Sequence, residues 1–180
     1  MIRIIKKIKK LYYSSSNERK IKYLRKLGVT IGDKTRITCD LDFIGTEPYL
    51  VTIGSDCLIT YGCRCITHDG GVKVLNSANY FYGKKMDKMG RIRIGNNVYF
   101  GNNVTILPNV TIGDNVIVGV NSVISKSVPS NVVVAGIPAK VICTLDEYYQ
   151  KNQEQGRFFP TTGMLREEKK KYLMSHVPQL

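Results

Sequence analysis

From Ile94 onward the chain reads IGNNVY FGNNVT ILPNVT IGDNVI VGVNSV ISKSVP, with apolar side chains at Ile94, Phe100, Ile106, Ile112, Val118 and Ile124, every sixth position. A second apolar column stands four residues after the first, at Val98, Val104, Val110, Val116 and Val128. Gly95, Gly101, Gly113 and Gly119 directly follow four of the leading residues. A period of six matches neither the ~3.6 of an amphipathic helix nor the alternation of a simple strand. It predicts an all-β solenoid in which each hexapeptide supplies one short strand and one turn. The leading residue and the fourth after it turn inward, and glycine or asparagine takes the positive-φ turn.

The same frame runs through IGDKTR ITCDLD from Ile31 and IGSDCL ITYGCR C from Ile53, with an interruption near Glu47 and Pro48. Cys57 and Cys63 then fall in the second inward column and Cys65 in the leading one, so these cysteines read as small core residues. After Cys65 the next leading residue is due at position 71, yet the frame resumes only at Ile94. About twenty residues, roughly 70–91, therefore leave the coil as an inserted loop, and loops of that length in a compact domain are usually functional or disordered. Tyr80, Phe81 and Tyr82 stand there among Lys73, Lys84, Lys85 and Lys88, a mixture suited to packing on a neighbouring subunit or on a sugar ring. His68, in the stretch CITHDGG, immediately precedes this departure.

Composition adds three constraints. The chain has 180 residues, 43% of them hydrophobic, which suits one domain with short appendages: a basic N-terminal helical segment over 1–27, the coil over 28–145, and a short helix and basic tail over 146–180. The net charge of +13 suits a partner rich in phosphate or carboxylate. Much of it lies in the first 27 residues, where lysines surround an apolar face of Ile4, Ile5, Ile8, Leu11 and Tyr12. Residues 12–27 are expected to cap the open end of the coil or to pack within a trimer, and residues 1–11 offer peripheral contact with an anionic membrane. That segment lacks the uninterrupted apolar stretch of a signal peptide, so a cytoplasmic location is expected, with the inner face of the membrane as its variant. Five cysteines without a CxxC pair argue against a disulfide framework or a zinc site.

The run from Ile94 to the AGIPAKVI stretch resembles the hexapeptide-repeat acyltransferases, which are left-handed parallel β-helices. The resemblance covers roughly residues 28–145, and it implies a homotrimer that uses acetyl-coenzyme A (acetyl-CoA) and no metal. Handedness and trimer come from the resemblance alone. In relatives of the maltose, galactoside and serine types, a histidine just before an inserted loop is the general base; carried over, that base is His68. Imidazole, with an unperturbed pKa of about 6.5, can take a proton from a hydroxyl as it attacks a thioester. Asp69 or Asp40 would orient the ring, and the sequence does not choose between them. By the same resemblance, contacts to acetyl-coenzyme A fall on Asn102, Val120, Ser125, Lys126 and Lys140, with Ala135 and Gly136 giving close backbone approach. Where those relatives carry a second arginine, this chain has Cys143.

THDGG, VLN, the long arm and AKVICTLDEYY look most like O-acetyltransferases of bacterial surface-polysaccharide loci. The expected reaction is therefore acetyl transfer to a saccharide hydroxyl, with a saccharide or nucleotide sugar as acceptor. An amine on a nucleotide-linked amino sugar, serine or an antibiotic hydroxyl are the alternative acceptors. A non-catalytic trimeric scaffold or a nucleic-acid-binding protein is the remote alternative, and no nucleic-acid partner is expected. A covalent route through Cys65 would require a thiol facing outward, against its place in the frame. His176, in the polar tail, is expected to be exposed and uninvolved.

Overall fold

In the computed structural model, which describes residues 12–178, the six-residue period takes the form of short strands. These are β1 (Thr30–Ile31), β2 (Arg36–Ile37), β3 (Val51–Ile53), β4 (Leu58–Ile59), β5 (Arg64–Cys65), β6 (Ile92–Ile94) and β7 (Val98–Phe100). β8 (Thr105–Ile106), β9 (Val110–Ile112), β10 (Val116–Val118), β11 (Val123–Ile124), β12 (Val132–Gly136) and β13 (Ala139–Thr144) follow. They form three sheets, in the orders β1-β3-β6-β9, β13-β12-β10-β7-β4-β2 and β11-β8-β5. From β3 to β11 successive strands visit the three sheets in rotation, so each of those turns adds one strand to each face, while the first coil contributes strands to the first two sheets only. All pairings are parallel except β12 with β13, a hairpin that ends the coil.

Register shows where the coil is regular. Ile94 lies opposite Ile112, Phe100 opposite Val118, and Ile106 opposite Ile124, each pair eighteen residues apart. Between the first two coils the offset is twenty-two, as in Ile31 with Ile53, and Cys65 N–H donates to the Phe43 carbonyl at 2.7 Å. Between the second and third coils it is forty-one, as in Ile53 with Ile94 and Cys65 with Ile106. Four extra residues therefore lie between Phe43 and Ile53, and twenty-three between Cys65 and Ile94. Both insertions leave at one corner, where the chain passes from the third sheet to the first.

The inward columns form the core: Ile94, Val98, Phe100, Val104, Ile106, Val110, Ile112, Val116, Val118 and Ile124 are all buried, as are Cys57, Cys63 and Cys65. At the third residue after each leading one the backbone turns through φ of 53° to 64°, and asparagine stands there at 97, 103, 109, 115 and 121. Asparagine tolerates this left-handed conformation, and its side chain continues from coil to coil: Asn97 donates to Asn115 at 2.9 Å, and Asn115 to Asn131 at 2.9 Å. The recurring glycines serve another purpose. Gly95 has an ordinary φ, but a Cβ there would stand 2.7 Å from the Gly113 carbonyl carbon of the next coil. Close stacking, not turn geometry, demands glycine at that phase.

Helix α1 (Asn17–Lys26) closes the start of the coil. Ser16 caps it by accepting from Arg19 N–H. The Asn17 side chain donates to the Thr35 carbonyl at 2.9 Å and accepts from Ile37 N–H at 2.8 Å, so it pairs the otherwise free edge of β2. Lys20, buried, donates to the carbonyls of Ile37 (3.0 Å) and Cys39 (2.5 Å), while Leu24 is fully buried. Helix α1 thus caps the coil, one of the two roles expected of residues 12–27; the apolar face formed by Ile4, Ile5, Ile8 and Leu11 lies outside the described residues. No helix among the described residues is long and apolar enough to cross a membrane.

Among the described residues, those from Asp146 onward form a separate compact unit. Helix α3 (Leu145–Glu154) begins where the sequence suggests, and Tyr149 stacks on Phe158 with ring centroids 5.8 Å apart. The expected tail is instead helical, as α4 (Arg166–His176). Glu167 and Glu168 in its first turn suit the positive end of the helix dipole. The inserted loop carries helix α2 (Val72–Ser77).

Candidate active site at the root of the arm

The chain leaves the coil through a narrow neck. After β5, Ile66 N–H still donates to the Ile106 carbonyl at 2.8 Å, and Thr67 is fully buried. Residues 67–69 then run antiparallel to 88–90: Gly90 N–H donates to the Thr67 carbonyl (2.7 Å) and Asp69 N–H to the Lys88 carbonyl (2.8 Å). His68 lies directly opposite Met89. Beyond the neck the arm is tied by Asn76, which donates to the Met86 carbonyl at 2.8 Å and accepts from Met86 N–H at 2.9 Å. Backbone pairing on both sides of His68 thus fixes the ring's starting point without help from the core.

The group that holds the ring is Glu47. Its Oε2 lies 3.0 Å from His68 Nδ1 and accepts from Thr67 Oγ1 at 2.5 Å, while Oε1 accepts from Thr46 Oγ1 at 2.5 Å. The hydroxyls of Thr46 and Thr67, and then His68, hold the Glu47 carboxyl down at about 2, so it is charged at any ordinary pH. A carboxylate can only accept, which makes Nδ1 the donor and leaves Nε2 of a neutral ring with its lone pair free. No hydrogen-bond partner among the described residues reaches Nε2. The side chains differ sharply in exposure, 13% for Glu47 against 45% for His68. The carboxylate is therefore sheltered and the imidazole faces a cavity of about 220 Å³ lined by Thr46, Glu47, Asp69, Lys88 and Met89.

Neither of the two aspartates suggested by sequence is hydrogen-bonded to the ring. Asp69 Oδ2 is 2.7 Å from Lys88 Nζ and Oδ1 accepts from Gly71 N–H at 2.9 Å. Lys88, and then the Gly71 N–H, hold its carboxyl below the usual range. Asp69 ties the two sides of the neck together. Asp40 lines a small cleft with Cys39, Asp42, Gly62 and Arg64, and no hydrogen bond among the described residues joins it to His68. Glu47 belongs to the four-residue insertion one coil earlier. Its one sequence signal is that it interrupts the frame at Glu47-Pro48.

Cys65 is 2% exposed and burial pushes its thiol far up, so no nucleophile faces the cavity from that side. His176 Nδ1 contacts the Tyr172 carbonyl within its own helix.

Residues matched to coenzyme A contacts fall in two groups flanking the third sheet. Asn102 and Val120 stack on the corner between the second and third sheets, where Asn121 N–H donates to the Asn102 carbonyl at 2.9 Å. A Cβ on Gly119 would meet Ala135, Gly136 N–H donates to Ser122 Oγ at 3.2 Å, and Lys140 pairs with Ala135 in the terminal hairpin. Those contacts bring Asn102, Val120, Ala135, Gly136 and Lys140 to one edge. Ser125 and Lys126 follow β11 and occupy the corner from which the arm departs. Neither Lys126 nor Lys140 is paired with a carboxylate among the described residues, and Cys143 is half-buried.

Residues 91–126 match the family described as bacterial transferase hexapeptide (six repeats). Protein CapG of Staphylococcus aureus is 42% identical over 153 residues, which span 84% of this chain and 86% of CapG. A galactoside acetyltransferase solved in complex with coenzyme A superposes with a TM-score of 0.60 at 26% identity, over 82% of each chain. The polysialic acid O-acetyltransferase OatWY does so at 0.52 and 31% identity, over 64% of this chain and 53% of its own. With its three-sided hexapeptide coil and a relative aligned over most of both lengths, the chain belongs to the hexapeptide-repeat acyltransferase family.

Proposed function

We propose that the protein is an acetyl-coenzyme A-dependent O-acetyltransferase that acts on a saccharide hydroxyl, as a homotrimer wound in the left-handed sense of its family. The observation that carries this reading is the His68–Glu47 pair, with Nδ1 tied to a charged carboxylate and Nε2 turned to the cavity at the root of the arm. Such an arrangement suits a base that must gain and then release one proton. Nε2 takes the proton of the acceptor hydroxyl as its oxygen bonds to the thioester carbonyl carbon. Glu47 balances the imidazolium so formed, and a backbone N–H of a neighbouring coil faces the oxyanion. The carbon–sulfur bond then breaks, and the proton on Nε2 passes to the departing thiolate. No covalent enzyme intermediate is needed, consistent with the burial of Cys65.

The flanks of the third sheet fit the cosubstrate. Lys126 and Lys140 offer unpaired ammonium groups for its phosphates, and Asn102, Val120, Ser125, Ala135 and Gly136 give exposed or half-exposed surface beside them. That the galactoside acetyltransferase is solved with coenzyme A, and OatWY is named for a polysaccharide, supports both the donor and the class of acceptor. The test is release of free coenzyme A from acetyl-coenzyme A across a panel of sugars. His68→Ala is expected to lower kcat by about 10²–10⁴ while coenzyme A affinity is kept. Full activity in that variant would remove His68 from the mechanism, and failure to bind coenzyme A would remove the enzyme reading altogether.

A further inference from the structure

Next to the His68 cavity, and sharing Met89 with it, lies a larger cleft of about 440 Å³ lined by Leu50, Met89, Arg91, Arg93, Asn109 and Thr111. The alternation of this segment decides where its side chains point. Gly90, Ile92 and Ile94 are buried while Met89, Arg91 and Arg93 are exposed, so the last three form one outward row. His68 faces Met89 across the neck, at the head of that row. At a strand rise of about 3.3 Å per residue, the two arginines follow Met89 at about 7 and about 13 Å. Arg93 sits in register between Thr52 and Thr111 on the outer face of the first sheet.

Neither guanidinium has a carboxylate or a hydrogen-bond acceptor among the described residues. The nearby acids are otherwise engaged: Asp69 with Lys88, and Glu47 with His68. Asp87 lines the His68 cavity and not this cleft. Two unpaired guanidiniums flanked by hydroxyl and amide groups form a receptor for an oxyanion on a polyhydroxylated molecule.

We infer that this cleft is an acceptor subsite for an acidic saccharide, whose carboxylate or phosphate is held by Arg91 and Arg93 while a hydroxyl of the same or the adjoining sugar reaches His68 Nε2. The inference rests on the acetyl-transfer reading for its biological meaning, but the binding it states is separable from turnover.

The experiment measures calorimetric binding of galacturonate oligomers, galactose 1-phosphate and neutral galactose oligomers to the wild-type protein, Arg91→Gln, Arg93→Gln, the two lysine variants and His68→Ala. Circular dichroism confirms the fold of each. Wild type should bind at least one acidic probe about tenfold or more tighter than the neutral oligomer, and the two acidic probes tell carboxylate from phosphate recognition. Either glutamine variant should collapse that preference, lysine should keep part of it, and His68→Ala should keep all of it while losing transfer. Equal binding of acidic and neutral probes by wild type would overturn the inference, even if acetylation proceeds. A preference unchanged in both glutamine variants, or a loss of coenzyme A affinity in its place, would also overturn it. An acidic preference without any acetyl transfer would leave the subsite standing and remove the proposed reaction.

Discussion

Replacing Glu47 separates its charge from its hydrogen bonds. In Glu47→Gln, one amide oxygen can still accept from both Thr67 Oγ1 and His68 Nδ1, as Oε2 does now, and the amide nitrogen can donate to Thr46 Oγ1. Geometry is kept but the charge is lost, so the stability cost should be about 1–3 kcal/mol. The negative charge that balances an imidazolium is lost, and kcat should fall about 10–100-fold, with the Michaelis constant for acetyl-coenzyme A unchanged. Glu47→Ala removes the acceptor as well. Because Thr67 is fully buried, its hydroxyl is then left without its partner, which should cost about 1–3 kcal/mol in urea unfolding beyond the catalytic loss. The carboxyl is held at about 2, below its ordinary 4.5, so its contribution to stability is complete above pH 4.5 and lost as pH falls through about 2. The stability gap between wild type and Glu47→Gln should accordingly be flat above pH 4.5 and close in stronger acid. Wild-type kcat in Glu47→Gln, with His68→Ala inactive, would refute the electrostatic role and reduce Glu47 to a structural tie.

Three further outcomes follow from the coil. Lys20→Met keeps the aliphatic stem but strips the Ile37 and Cys39 carbonyls of their donor, so urea unfolding should show a loss of about 1–3 kcal/mol; unchanged stability would contradict the capping role of α1. Gly95→Ala places a methyl against the Gly113 backbone and should cost about 1–3 kcal/mol by thermal or urea melting, whereas a neutral result would mean the coils can separate locally. Burial pushes Cys39 up to about 12 and raises Cys57, Cys63 and Cys65. A thiol reagent at pH 8 should modify Cys143 alone until denaturant is added, and the buried thiols' contribution to stability, complete below pH 9, should be lost as pH rises from 9.0 toward about 12.

The repeat is legible in the sequence because one rule acts in every coil: a leading residue and the fourth after it point inward whatever the rest of the chain does. Cys57, Cys63 and Cys65 could be placed in the core on that rule, although cysteine has several other uses. The rule also has limits within the coil. Gly95 and Asn97 recur at the same period as Ile94, but periodicity cannot say which holds the positive φ and which faces the next backbone, because coil spacing is a tertiary quantity. The site is harder still, since Glu47 and His68 both stand where the period fails. In one dimension a four-residue interruption near 47 and a twenty-three-residue interruption after 65 look unrelated. Only the register of Cys65 against Phe43 and Ile106 puts both at one corner of adjacent coils, which is what brings a carboxylate from the short loop to the histidine at the root of the long one. Asp69, the neighbour in sequence, is drawn instead to Lys88, because its strand pairs with the returning arm. The inward columns are committed to the core and the asparagine ladder to the stack. The proposed base and its counter-charge are both residues released from that frame, so coinciding breaks in successive coils are the feature to seek in such repeats.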